Sequence, residues 1–498
     1  MYNRGVRRRI IALAWVLASG VGATAQVVNL ATYGSAAVAP GSIAAVLGSF
    51  PVGAAAAASE PLPTSLSGLS FAFGGGLYAP LFFVSGTQAN LQVPWELGGQ
   101  NSGSVIASAG GQSSAAQAVS LATFAPGIFA TNGLGTGQGA IIDNATYLLV
   151  DASNPATAGS TYIQIYCTGL GPVTNQPPTG AAAPDGPPFS STTTTPTVTI
   201  GGVAAPVFFA GLAPGFVGLY QVNVQVPAEV SPGSAVPVAI SMGGAVSNTV
   251  MIAVRTLVWS DEFNGSAGSL PDATKWTYDL GGGGWGNGEA EVYTNSPNNV
   301  SQDGKGNLAI TAIDTNGAYT SARIKTQGLF APQYGRIEAR IKLPYGQGIW
   351  PAFWMLGADI ATVNWPNCGE VDIMENFGAY NHEGGTNNGS IHGPGYTGSL
   401  VGATYTLPGG ALLSADYHVF AIEWSANSME FFVDGNSYEK QTPATIPSGT
   451  QWVFNAPFFL LLNVAVGGPT TFLGPPNGST SFPQTMLVDY VRVYQEAD

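Results

Sequence analysis

Three carboxylates fall within six residues of Gly369-Glu370-Val371-Asp372-Ile373-Met374-Glu375-Asn376. The apolar residues between them give the stretch the pattern of a strand. Successive side chains of a regular strand alternate, so Glu370 and Asp372 share one face and Glu375 falls on the other. Turning Glu375 alone into a core is costly. One extra residue, a β-bulge around Ile373–Met374, restores the parity and aims all three acids into one groove. Glu370 and Glu375 are then spaced like residues i and i+4, roughly 13 Å between Cα atoms at about 3.3 Å per residue. Side chains converging over that gap bring the carboxyls to about 5–5.5 Å, the separation that suits double displacement at a glycosidic carbon. A single displacement needs a wider gap to seat its water. Like charges this close on one strand repel each other, which favours a chemical use.

A saccharide groove also needs aromatic faces and hydroxyl partners. Trp350 and Trp354 are four apart in Gly348-Ile349-Trp350-Pro351-Ala352-Phe353-Trp354, so a strand puts both on one face. The loop Gly281-Gly282-Gly283-Gly284-Trp285-Gly286-Asn287-Gly288-Glu289 offers Trp285, Asn287 and Glu289. Its glycines do not make a phosphate cradle, because no P-loop Lys-Ser/Thr follows. Of the three histidines, His392 sits in Ser390-Ile391-His392-Gly393, while His382 and His418 read as structural.

The elements that hold these residues are read from composition. The 498 residues carry 28 Asp+Glu against 14 Lys+Arg, and only 8% of the chain is charged. With no basic patch, nucleic-acid binding is excluded and a neutral substrate is favoured. The charge is uneven. From Gln26 to Val254 there is no Lys, Arg or His, and the acids are Glu60, Glu96, Asp143, Asp151, Asp185 and Glu229. Two compositions therefore meet near residue 255, the main domain boundary. Arg4 to Arg9, the apolar run Ile10–Gly22 and Ala23-Thr24-Ala25 have the form of an export leader over 1–25, with a mature start near Gln26 and a secreted product. No later stretch reads as a membrane span, and a monomer is expected. Cys167 and Cys368 lie in different halves and read as buried thiols rather than a disulfide.

Both halves read as all-β. Gln88-Ala89-Asn90-Leu91-Gln92-Val93-Pro94 recurs 133 positions later as Gln221-Val222-Asn223-Val224-Gln225-Val226-Pro227, which implies two related β-sandwich modules, 26–130 and 131–256. The alternating amides predict a solvated strand face, and the Pro/Gly/Thr-rich stretch 172–197 predicts a flexible loop or linker. Residues 257–498 carry clean alternation, as in Gly335–Lys342 and Met429–Asp434, and suit one large jelly-roll sandwich with a groove.

The motifs carry two resemblances. Gln-x-Asn-x-Gln-Val-Pro resembles immunoglobulin-like modules of secreted bacterial proteins that have no agreed function. Glu-Val-Asp-Ile-Met-Glu resembles the bulged active-site motif of glycoside hydrolase family 16, a concanavalin A-like jelly roll. In order around it stand Trp259-Ser260-Asp261-Glu262-Phe263, Ser321-Ala322-Arg323-Ile324, Tyr334-Gly335-Arg336-Ile337-Glu338, Gly348–Leu356 and Val488–Tyr494. Within the family the look is that of laminarinase-like endo-β-1,3-glucanases. The resemblance implies Glu370 as nucleophile, Glu375 as acid/base and Asp372 as the residue that positions and tunes them. It places His392 beside the acids, Trp350 nearest the cleavage point, Trp354 along the groove, Arg323 on a sugar hydroxyl, and Trp285, Asn287 and Glu289 at the groove edge. It also implies one structural calcium ion, held by Asp489 with backbone oxygens near Glu262 and Gly304, and no cofactor for the chemistry. After Gly467-Gly468 many relatives carry a stacking tryptophan, whereas this chain reads Pro469-Thr470-Thr471-Phe472, with Phe472 the candidate substitute. The expected function is endo-hydrolysis of β-1,3-glucan, with mixed β-1,3-1,4 linkages tolerated. The alternatives are a galactan-cleaving relative (agarase- or carrageenase-like), which a groove poor in basic residues disfavours, and a non-catalytic glucan-binding or adhesion protein.

Overall fold

In the computed structural model, strands dominate from the first described residue, as the alternation demands. It describes residues 26–495 apart from 75, 381–383 and 399–400. The leader 1–25 and His382 lie outside the described residues. The chain divides into two compact units at Thr256/Leu257, where the composition changes.

The first unit holds two sets of paired sheets. In its first half, the strands Gln26–Asn29, Ile43–Leu47, Gln88–Gln92 and Leu81–Val84 face Gln117–Ser120, Ser102–Ala109 and Leu69–Phe73. Val46, Phe71, Phe73, Leu81, Leu91 and Val105 fill the space between them. In its second half, Tyr162–Thr168, Tyr220–Gln225 and Val207–Leu212 pack over Thr197–Ile200 and Gly233–Met242 through Ile163, Ile165, Val222, Val238 and Ile240. A third cluster, which includes Val28, Ile43, Phe129, Tyr166 and Leu219, unites the halves.

Two sequence expectations are corrected in this unit. The recurring amides are mostly not solvated: Gln88, Asn90, Gln92 and Gln221 are buried, and Asn223 and Gln225 are half-buried. Their amide nitrogens find local partners, Gln88 Nε2 donating to Asn90 Oδ1 at 2.7 Å and Gln221 Nε2 to Asn223 Oδ1 at 2.8 Å, while Gln221 Oε1 is left without one. Packing of the two halves covers the amide face, and internal hydrogen bonds make that burial tolerable. The stretch 172–197 is not a free linker either. Gly180 N–H donates to Gln92 Oε1 at 2.7 Å, and Thr179 Oγ1 donates to Glu96 Oε2 at 2.7 Å.

The second unit carries the acids. Among the described residues, a seven-stranded sheet runs in the order Thr277–Asp279, Arg323–Lys325, Phe458–Val466, Ile349–Gly357, Glu370–Glu375, Thr386–His392, Gly402–Thr406. Beneath it lie Leu308–Thr315, Gln484–Gln495, Gly335–Lys342, His418–Ser425, Ser428–Val433 and Asn436–Gln441. One core fills the sandwich, with Ile349, Phe353, Met355, Val371, Leu460, Leu462, Phe420 and Val491 among its members. The alternation in Ile349–Gly357 sends Ile349, Phe353 and Met355 inward and Trp350, Ala352 and Trp354 to the opposite face. Cys167 and Cys368 are both buried and free.

Candidate active site

The strand Glu370–Glu375 is bulged where the parity argument requires it. Against Ile349–Gly357 its register runs Leu356↔Glu370, Trp354↔Asp372, then Phe353↔Met374, so Ile373 is the extra residue. The Thr386–His392 side repeats the shift, from Asp372↔Ser390 to Glu375↔Asn388. Ile373 and Met374 are 1% and 0% exposed. Burying two such side chains contributes about 1.5–3 kcal/mol each, more than the roughly 1 kcal/mol net of one lost ladder hydrogen bond. The core therefore selects the bulge, and the bulge turns Glu375 to the side of Glu370 and Asp372.

Each acid has a different holder. Trp365 Nε1 donates to Glu370 Oε2 at 2.8 Å, and Trp350 Nε1 donates to Glu375 Oε1 at 2.9 Å. Asp372, 4% exposed, accepts from Ser390 Oγ at 2.7 Å and lies 2.8 Å from His392 Nε2. His392 Nε2 is also 3.9 Å from Glu370 Oε1. Burial alone would lower the His392 pKa, but the hydrogen bond and charge of Asp372, with Glu370 and Glu375 behind it, raise it to about 9. His392 is thus a cation at neutral pH, and it balances Asp372.

Burial and then Asp372 push Glu370 up to about 8, while the His392 charge, the Trp365 hydrogen bond and Arg323 act the other way. Burial, Asp372 and Glu370 hold Glu375 well above the usual carboxylate range. The charge of Glu370 thus keeps a proton on Glu375, and Arg323 is a cation that counts for Glu370. Of the two, Glu370 ionises first.

Two cavities meet at the acids. One, of about 390 Å³, is walled by Trp285, Asn287, Glu289, Arg323, Trp350 and Trp354. All six are sequence candidates, and the fold assembles them from three segments. Arg323 is sandwiched between Trp285 and Trp354, its guanidinium 5.1 and 4.5 Å from the two ring centroids, and its Nε lies 3.0 Å from Asp279 Oδ2. That fixes Arg323 as a rigid donor in the wall. The second cavity, of about 700 Å³, is bounded by His392, Asn388, Ser390, Thr404, Phe377 and Phe472. Phe472 packs edge-on against Trp350 and Phe377, with centroids 5.2 and 4.9 Å away, so the residue that departs from the expected tryptophan does reach the groove.

Sequence reasoning missed Trp365, Ser390, Asn463 and Phe377. Ser390 was within reach, since it alternates with His392 on one strand. Trp365 carried no such periodicity, because the turn beside the short helix Ile360–Val363 brings it back over Glu370.

Asp489 Oδ2 accepts from Arg340 Nη1 at 2.6 Å, and both Glu262 oxygens accept from Arg492, at 2.9 and 2.7 Å. Of the three calcium residues, only Asp489 is expected to give a carboxylate, and that carboxylate already has the Arg340 guanidinium as counter-charge, which disfavours calcium there. Glu262 and Gly304 are expected to give backbone oxygens, so the Arg492 pairing of the Glu262 side chain does not bear on the site. Treatment with EDTA is expected to leave the thermal midpoint within about 2 °C, whereas a fall of more than about 5 °C would show a bound cation after all.

Residues 287–467, all in the second unit, match the family described as Glycosyl hydrolases family 16. The chain is 38% identical over 271 residues to Glucan endo-1,3-beta-glucosidase A1 of Niallia circulans, covering 49% of this chain and 38% of that protein. It is 40% identical over 253 residues to Beta-glucanase of Rhodothermus marinus, covering 48% of this chain and 85% of that one. The solved laminarinase catalytic domain of Thermotoga maritima is 44% identical, with 49% of this chain and 99% of that domain covered and a TM-score of 0.45. The chain thus spans little more than a third of the Niallia circulans relative.

Proposed function

The chain belongs to glycosyl hydrolase family 16 and is a glycoside hydrolase, and on that premise we propose that it is an exported endo-β-1,3-glucanase that works by retaining double displacement. The observation that carries the mechanism is the bulge, which sets two differently held carboxyls on one face with Asp372 between them. Glu370 attacks the anomeric carbon as a carboxylate while Glu375 gives its proton to the departing oxygen, and a glycosyl ester forms on Glu370. Glu375, now a base, then takes a proton from water as that water attacks the ester. Product leaves with its starting configuration. The Asp372–His392 pair lies beside both acids, and the His392 charge offsets part of the Asp372 charge that opposes ionisation of Glu370.

The substrate class follows from the walls and from the relatives. A groove open on both sides of the acids, walled by tryptophans and amides and lacking exposed basic clusters, suits an uncharged glucan bound internally. The relatives from Niallia circulans and Rhodothermus marinus are named for glucan cleavage. Export is part of the proposal. No helix among the described residues is long and apolar enough to cross a membrane.

The test is incubation of the mature protein, recovered from the medium and beginning near Gln26, with laminarin, lichenan, agarose and carrageenan. Reducing ends are expected from laminarin first, with short oligosaccharides from the outset as endo cleavage requires. Release from agarose or carrageenan alone would move the substrate to galactan. Binding without release from any of the four would make this a glucan-binding protein.

A further inference from the structure

The wall beside Trp285 contains a buried acid that the hydrolytic steps leave unused. Glu291, on the strand Glu291–Tyr293, is 1% exposed. Its Oε2 accepts the Val466 N–H at 2.7 Å, whereas its Oε1 is sealed from solvent and faces no donor. Glu289 is the carboxyl within hydrogen-bond reach of it. Both Glu289 oxygens are already acceptors, Oε1 from Asn287 Nδ2 at 3.0 Å and Oε2 from the Tyr293 hydroxyl at 3.2 Å. A sealed carboxylate oxygen that faces a second, half-buried carboxyl is compatible only if one of the two carries a proton, and the orphaned Glu291 oxygen is the one without any other partner.

We propose that Glu291 is a positioning acid: its Oε1–H donates to Glu289 and fixes Glu289 as an acceptor for sugar hydroxyls at the Trp285–Trp354 end of the groove. The inference rests on the glucanase reading above. Glu289 lines the groove cavity, and Glu291 stands behind it. The same network reaches the stacking face. The Tyr293 hydroxyl accepts from Asn463 Nδ2 at 3.1 Å, and Asn463 Oδ1 accepts from Trp354 Nε1 at 2.8 Å. A change at the carboxyl pair is therefore passed to Trp354 as well as to Glu289.

The titratable and charged groups around the pair are Glu289 and Tyr293 from its own segment and Arg323, which acts on Tyr293 from the neighbouring strand. Tyr319 is the parallel strand partner of Glu291, and Phe458–Val466 contributes no charged side chain. Burial, then the hydrogen bond and charge of Glu289, push Glu291 up to about 8. Below that pH the pair carries one negative charge and a hydrogen bond. Above it two like charges face each other, and Glu289 loses its support.

Affinity separates this from the chemistry. On the inactive Glu370→Gln background, the Kd for a β-1,3-gluco-oligosaccharide measured calorimetrically should weaken about tenfold between pH 6 and pH 9.5, the loss of one charged hydrogen bond. Adding Glu291→Gln should hold affinity within about threefold at pH 6 and make the alkaline loss several-fold smaller than in the Glu370→Gln protein, because the glutamine amide donates to Glu289 and its carbonyl accepts from Val466, whereas what remains belongs to His392 and Glu375. Adding Glu291→Leu should cost about tenfold already at pH 6. A flat pH dependence in the Glu370→Gln protein, or an unchanged alkaline loss after Glu291→Gln, would overturn the proposal and leave the glucanase reading intact. Absence of both oligosaccharide binding at pH 6 and hydrolysis by the wild type would overturn that reading and this inference with it.

Discussion

Replacing Glu370 with glutamine is expected to lower laminarin hydrolysis by about 10⁴-fold or more, with oligosaccharide affinity changed only a few-fold. The amide cannot form the glycosyl ester, yet it still fills the same space beside Trp365 Nε1. The diagnostic variant is Glu370→Ala with azide supplied as an external nucleophile. Azide entering the vacated space attacks the anomeric carbon from the face that Glu370 occupied, so the product is a glycosyl azide of inverted configuration. Nuclear magnetic resonance of the product reads this directly. More than about a tenth of wild-type activity in Glu370→Gln would remove Glu370 from the nucleophile role. Azide rescue with retained configuration would also contradict that assignment.

Glu375→Ala should fail differently. Without a proton donor, glucan hydrolysis should fall by about 10²–10⁴-fold, but an aryl glycoside whose phenolate leaves without help should still form the glycosyl ester. Azide should then rescue the second step and give a product of retained configuration. The pH profile supplies an independent check. Glu375 must be neutral to act and is held well above the ordinary carboxylate range, so wild-type kcat falls on the alkaline side as Glu375 loses its proton. On the acid side it falls as Glu370 gains one. The alkaline limb should vanish from the azide-rescued reaction of Glu375→Ala and survive in the Glu291→Gln enzyme, whose change is in affinity. If the limb persists in Glu375→Ala, the proton donor is a different group.

The spacing within Glu370–Glu375 by itself determined a great deal. Three acids at those positions and two apolar residues in succession leave a bulge as the favourable arrangement, and the register shifts on both neighbouring strands show it. The period of two likewise placed Trp350 and Trp354 together, and the abrupt change in charge located the domain boundary. These readings succeeded because strand geometry and the avoidance of buried charge act over a few residues, where sequence order and spatial order coincide.

Other features depended on which strands became neighbours. The amides of Gln88–Gln92 alternate as a solvent-facing strand would, but docking of the two halves of the first unit buries them. Trp365 reaches Glu370 through a turn that no periodicity encodes. The Asp489 carboxylate reads as a cation ligand, yet Arg340 arrives from another strand to pair with it. Glu291 reads as one more acid in an acidic domain until burial and Glu289 require it to keep a proton. Sequence therefore settled which side chains share a face. Tertiary structure decided which charges are neutralised and which carboxyls stay protonated, because those depend on desolvation and on partners far apart in the chain.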